Sequence, residues 1–118
     1  MRHKVQKHRL NLPRDQKRLL LKNLATSLIL HEKIQTTQAR AQALQPMVEK
    51  LVREAKNPNK VLAIRNVGAS LQSQVAAKKL LENLSKKFQN KQSGFTRITK
   101  VGFRSGDAAP LVEIELTV

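Results

Sequence analysis

The chain has 118 residues, enough for one hydrophobic core of ordinary size, and its 23 lysines and arginines against eight acids give a formal charge of +15. So much positive charge repels itself in a compact body unless an outside polyanion supplies counter-charge, and nucleic acid is the natural supplier. Cysteine is absent, which excludes disulfides, zinc ribbons and thiol chemistry; no run of about 18 apolar residues and no lipidation signal points to a membrane partner.

The first 22 residues hold Arg2, Lys4, Lys7, Arg9, Arg14, Lys17, Arg18 and Lys22 against the single acid Asp15. They lack the apolar stretch of a secretory signal, and Pro13 comes too early for the amphipathic helix of an organelle presequence, so the segment reads as mature sequence. Residues 1–13 are expected to form a basic extension, and residues 14–118 one domain. From Arg14, the residues Leu20 or Leu21, Leu24, Ala25, Leu28 and Ile29 recur at helical spacing behind Pro13 and predict a helix ending near His31, whose imidazole suits the C-terminal carbonyls. Lys33–Thr37 is too short for a helix and β-branched at its end, and predicts a strand. A second helix follows through Ala41, Leu44, Val48, Leu51, Val52 and Ala55, with a kink expected at Pro46 and a stop at Asn57-Pro58-Asn59.

Val61, Ile64 and Val67 suggest a short helix broken by Gly68-Ala69-Ser70, and Val75, Ala76, Lys79, Leu80 and Leu84 a further one. Thr96–Val101 and Leu111–Leu116 alternate with period two on either side of a turn-rich Gly102–Pro110 connection, and predict an antiparallel pair. The order of elements gives an α+β two-layer domain, helices packed on a small mixed three-stranded sheet.

Catalytic apparatus is not visible. No two of His3, His8 and His31 stand at the i, i+4 spacing of a helical metal site, no glycine-rich loop leads from a strand into a helix, and neither a cofactor nor a small-molecule substrate is indicated. Glu113 and Glu115 share a strand face, but a solvated sheet surface explains them better than acid/base chemistry. Phe88, Phe95 and Phe103 are the only aromatic residues, too few for a base-stacking platform, which leaves backbone phosphates as the main contact. His3 and His8 suit donation to phosphate. A second basic set, Lys86, Lys87, Lys91, Arg97, Lys100 and Arg104, surrounds Ser93-Gly94-Phe95-Thr96-Arg97, and the strand face with Arg97 and Lys100 is expected to make a second contact. There Phe95 is either an apolar RNA contact beside Arg97 or a core residue with Arg97 at its rim, and Arg104-Ser105-Gly106-Asp107 is either a phosphate-facing turn or a loop in which Asp107 bonds its own backbone.

Arg2-His3, Leu10-Asn11, Asn23-Leu24-Ala25-Thr26-Ser27-Leu28, His31-Glu32-Lys33-Ile34 with Thr36-Thr37, and Ala39 to Leu44 stand in an order and spacing that resemble the L-seventeen family of bacterial large-subunit ribosomal proteins. So do Gly94-Phe95-Thr96-Arg97-Ile98 and the run from Arg104 through Gly106-Asp107-Ala108-Ala109-Pro110 to Ile114-Glu115-Leu116. The sequence departs from that family at Val5 to His8, at Arg14-Asp15-Gln16, at Phe95, where tyrosine is common, and most from Lys60 to Ser85. The resemblance implies a structural, non-catalytic component of the large subunit in the cytoplasm, near the peptide exit side, touching ribosomal RNA and neighbouring ribosomal proteins; the residues do not separate a bacterial from an organellar ribosome. It adds Asn11, Asn23, Thr36, Thr37 and Arg40 to the RNA-contact set that charge picks out: Arg2, His3, Lys4, Lys7, His8, Arg9, Arg14, Lys17, Arg18, Lys22, Arg97, Lys100 and Arg104. Charge alone would serve equally for a DNA-architectural, nucleoid-type protein, although the extension offers no wedge beyond Val5 and Leu10.

Overall fold

Leu10 and Asn11 both take positive φ, forming a left-handed turn just ahead of Pro13 in a computed structural model that describes His3 and residues 10–117. Pro13 then fixes the entry to α1 (Arg14–His31), its carbonyl accepting the Lys17 N–H at 2.9 Å. Ala25, Thr26, Leu28 and Ile29 form the buried face of α1. Glu32 ends the helix in the left-handed region, its N–H returning to the Leu28 carbonyl. The cation at this carbonyl-rich end is Lys79, which donates to the Leu30 carbonyl at 2.9 Å and lies 3.5 Å from the Glu32 carboxylate, while His31 stays exposed in the last turn.

β1 (Lys33–Thr37) leads straight into α2 (Gln38–Ala55), which continues as helix through Pro46. Proline removes the bond to the carbonyl four residues back, but Gln42 and Pro46 are both exposed, so water can satisfy the freed group. α3 (Lys60–Ser70) starts on Asn59, whose side-chain oxygen accepts from the Val61 and Leu62 amides. α4 (Gln74–Lys79) starts on Ser73 in the same way and runs through a π-helical turn (Leu80–Leu84) into α5 (Ser85–Lys87). β2 (Thr96–Phe103) and β3 (Pro110–Leu116) complete the chain.

The strands form one sheet in the order β1-β3-β2, antiparallel throughout where the sequence suggests a mixed sheet. The β2–β3 hairpin fixes one pairing, and the other sets Lys33 opposite Glu115, a favourable cross-strand charge pair. On one sheet face Val112, Ile114 and Leu116 join Leu28, Ile29, Leu44, Val48, Leu80 and Leu84 in a single core, with Ile34 and Ile98 packed against it. Phe88 and Phe95 are fully buried edge-to-face, ring centroids 5.3 Å apart, with the Lys56 ammonium 5.3 Å from the Phe95 centroid. Lys56 also donates to the Lys91 carbonyl, and Lys91 to the Thr117 carbonyl at 2.8 Å, so two lysines tie α2 to the end of β3.

α3 and β2 also depart from the sequence expectation. α3 extends through Gly68 to Ser70 and buries Ala63 and Val67, not the Val61–Ile64–Val67 stripe; Val61 and Ile64 remain 60% and 58% exposed. Packing on α2 selects the small-residue side of α3, where the helices can approach closely. β2 runs past Val101 to Phe103 because a bulge lets it stay paired with β3.

Thr26 joins distant segments: its hydroxyl donates to the Lys22 carbonyl at 2.8 Å and accepts the Gln72 N–H at 3.0 Å, holding the α3–α4 connection against α1. Thr26→Val therefore leaves an N–H without its acceptor and is expected to lower unfolding stability by about 1–3 kcal/mol, with Thr26→Ser much milder, as read by urea denaturation. In the same measurement Phe95→Ala is expected to remove about 3–5 kcal/mol and Leu19→Ala less than about 0.5 kcal/mol, since Leu19 is 52% exposed.

Candidate nucleic-acid interface

Arg14, Lys17, Arg18 and Lys22 follow one another on α1 at i, i+3, i+4 and i+8, which places them along one side of its first turns. Thr26 continues that line, and its burial under Gln72 marks where the basic stripe gives way to the core. Asp15 sits in the first turn, where a negative charge complements the helix dipole. Asn11 and Asn23 are exposed next to this stripe in sequence, and His3 is exposed. Arg2, Lys4, Lys7, His8 and Arg9 lie outside the described residues.

The other predicted contacts are spread over different elements. Thr36 and Thr37 are half-buried at the end of β1, and Thr37 precedes α2 without a side-chain capping bond. Arg40 is exposed on the first turn of α2. Arg97 and Lys100 do not share a face: in register, Arg97 stands opposite Glu115 and Lys100 opposite Val112, so they point to opposite sides of the sheet. Phe95 is a core residue, and Arg97 stands at its rim.

Electrostatic pairing separates these cations into two groups. The helix-free face of the sheet carries Glu113 and Glu115, with Lys33 Nζ 2.8 Å from Glu113 and 3.9 Å from Glu115, and Arg97 Nη2 2.8 Å from Glu115. Arg97 Nε also donates to Glu115 at 2.9 Å. Arg104 is held by Asp107 through two bonds, Nε–Oδ1 at 3.0 Å and Nη2–Oδ2 at 2.6 Å, while Asp107 Oδ1 accepts the Ala109 N–H at 3.2 Å. The backbone bond expected of Asp107 within this turn is thus present. Among the described residues, Arg14, Arg18, Lys22, Arg40 and Lys100 enter no ion pair.

Hydrogen bonding to Arg104 lowers the Asp107 pKa from 3.8 to about 2, and the same bond raises that of Arg104. The carboxylate's value is depressed in the folded protein, so the contact is complete above pH 3.8 and is lost as pH falls through about 2. A carbon-detected NMR titration should give Asp107 a midpoint near 2, rising toward 3.8 in Arg104→Gln. A midpoint near 3.8 in the unsubstituted protein would show that the pair does not form in solution.

Comparison with known proteins bears on the whole chain. The family model described as Ribosomal protein L17 matches residues 20–117. Proteins named large ribosomal subunit protein bL17 are 40% identical in Rickettsia bellii over 98% of this chain and 80% of the relative, and 37% identical in Neorickettsia sennetsu over 98% of each. The one from Desulforudis audaxviator is 44% identical over 92% of this chain and 96% of its own length. These matches agree with the motif resemblance at both ends of the sequence, and the chain belongs to the ribosomal protein L17 family, not to a family of enzymes.

Proposed function

We propose that the protein is a structural constituent of the large ribosomal subunit, held on its ribosomal RNA by the basic stripe of α1 together with the residues before it. The observation that carries this reading is the stripe Arg14, Lys17, Arg18, Lys22, contiguous in sequence with Arg2, His3, Lys4, Lys7, His8, Arg9 and Asn11, while Glu32, Asp107, Glu113 and Glu115 engage cations elsewhere on the body. Phosphates supply counter-charge to this basic stretch, and each contact releases condensed counterions. Asn23, Thr36, Thr37, Arg40 and Lys100 extend the contact as neutral donors and further cations. Arg97 and Arg104 join it only by exchanging Glu115 and Asp107 for phosphate, so their net contribution is smaller. Family membership supports the ribosome as its location and neighbouring large-subunit proteins as its other partners. The relatives lend no support to a DNA-architectural role.

Binding to large-subunit ribosomal RNA is the test. With about six to ten phosphates neutralised, affinity is expected to fall by about three to five decades between roughly 50 and 200 mM salt. Arg18→Gln should reduce the slope of log affinity against log salt by about one, whereas Arg97→Gln should change it little. A flat salt response would reject the mechanism, and preferential competition by B-form DNA over A-form RNA would favour the nucleoid-type alternative.

A further inference from the structure

β2 is an edge strand, and its far half overhangs the body. Its pairing with β3 slips by one residue between Lys100 and Gly102: Lys100 stands opposite Val112, Gly102 opposite Leu111, and Phe103 opposite Pro110. Without the extra residue, Val101, Phe103 would point to the other side of the sheet; with it, Phe103 shares the face of Ile98 and Lys100. On that face the helices cover Val112, Ile114 and Leu116, but they stop short of the hairpin end, where Pro110 is exposed and Phe103 is 75% exposed. The other two phenylalanines are fully buried, so the bulge aims the one exposed aromatic ring among the described residues outward, beside an unpaired lysine and next in sequence to Arg104.

We propose that Phe103 stacks on an unpaired base of the ribosomal RNA, with Lys100 on a neighbouring phosphate. This rests on the RNA-binding reading above and gives it a contact of a different kind: one ring inserted at one base, where the paucity of aromatics rules out a platform. Charge complementarity favours RNA over a protein surface as the occupant. The cations flanking the ring are Lys100 and Arg104, and the one nearby acid, Asp107, is engaged by Arg104. Every base offers a π-face, so a single exposed ring in a basic setting needs no matching pocket.

The chain has no tryptophan or tyrosine, so Phe103→Trp introduces the sole indole and reports on this position alone. With an end-labelled large-subunit ribosomal RNA transcript, that variant should bind as the parent does and its emission should be quenched by the bound RNA. Phe103→Ala should weaken binding by about five- to a hundredfold at fixed salt, with an unchanged salt slope because no charge is lost, and an unchanged melting temperature because the ring is outside the core. Phe103→Leu should recover little of the loss, lacking a π-face. Undiminished binding by Phe103→Ala, full recovery by Phe103→Leu, or unquenched emission while the labelled RNA is bound would overturn the stacking proposal and leave the RNA reading standing; the last result would turn attention to a protein neighbour at this site. Failure of the unsubstituted chain to bind the transcript would remove both.

Discussion

Placing β3 between β1 and β2 obliges one strand to meet two environments. Its even-numbered side chains, Val112, Ile114 and Leu116, face the helices and complete the core, and its odd-numbered ones, Glu113 and Glu115, lie on the opposite face beside Lys33 and Arg97. A one-residue slip would exchange these sets, burying carboxylates and exposing the apolar row, so core packing and ion pairing select the same register. The strand is anchored at its end as well. The Leu116 N–H reaches the Glu32 carbonyl at 3.0 Å, the Thr117 N–H reaches the Phe95 carbonyl at 2.8 Å, and the Thr117 hydroxyl reaches the carbonyl of Gly94, whose φ of +72° suits a residue without a Cβ.

That arrangement also distributes charge. The free face of the sheet gathers Glu113 and Glu115 and so compensates the cations beside them, while Glu32 receives Lys79 and Lys87 at the end of α1. Exposed pairs of this kind add little to stability. Under the proposed RNA-binding reading their larger effect is on recognition, because a cation held by a carboxylate attracts phosphate more weakly than an unpaired one. The excess positive charge lies outside the core, which is built from uncharged side chains.

Much of the fold was legible because the signals were local. Pro13 and the spacing from Leu21 to Ile29 mark α1, Lys33–Thr37 is the observed β1, and the alternation of Leu111–Leu116 marks both faces of β3. What the sequence concealed depends on contacts made at a distance. Nothing in Val61–Val67 says that α2 will take the Ala63 side; the bulge at Val101 exists only relative to β3, and so does the exposure of Phe103. The basic stripe of α1 could be read from residue types, but pairing divides cations that look alike in sequence: Lys33 and Arg97 are engaged by glutamates, and Arg14, Arg18 and Lys22 are not.

Lysine acylation rates, measured by mass spectrometry on the free protein and on its complex with large-subunit ribosomal RNA, bear most directly on this division of charge. RNA is expected to slow modification of Lys22 and Lys100 and to leave Lys33, beside Glu113 and Glu115, unchanged. Protection of Lys33 with Lys22 as reactive as in the free protein would place the RNA on the wrong face of the molecule and contradict the proposed mode of binding.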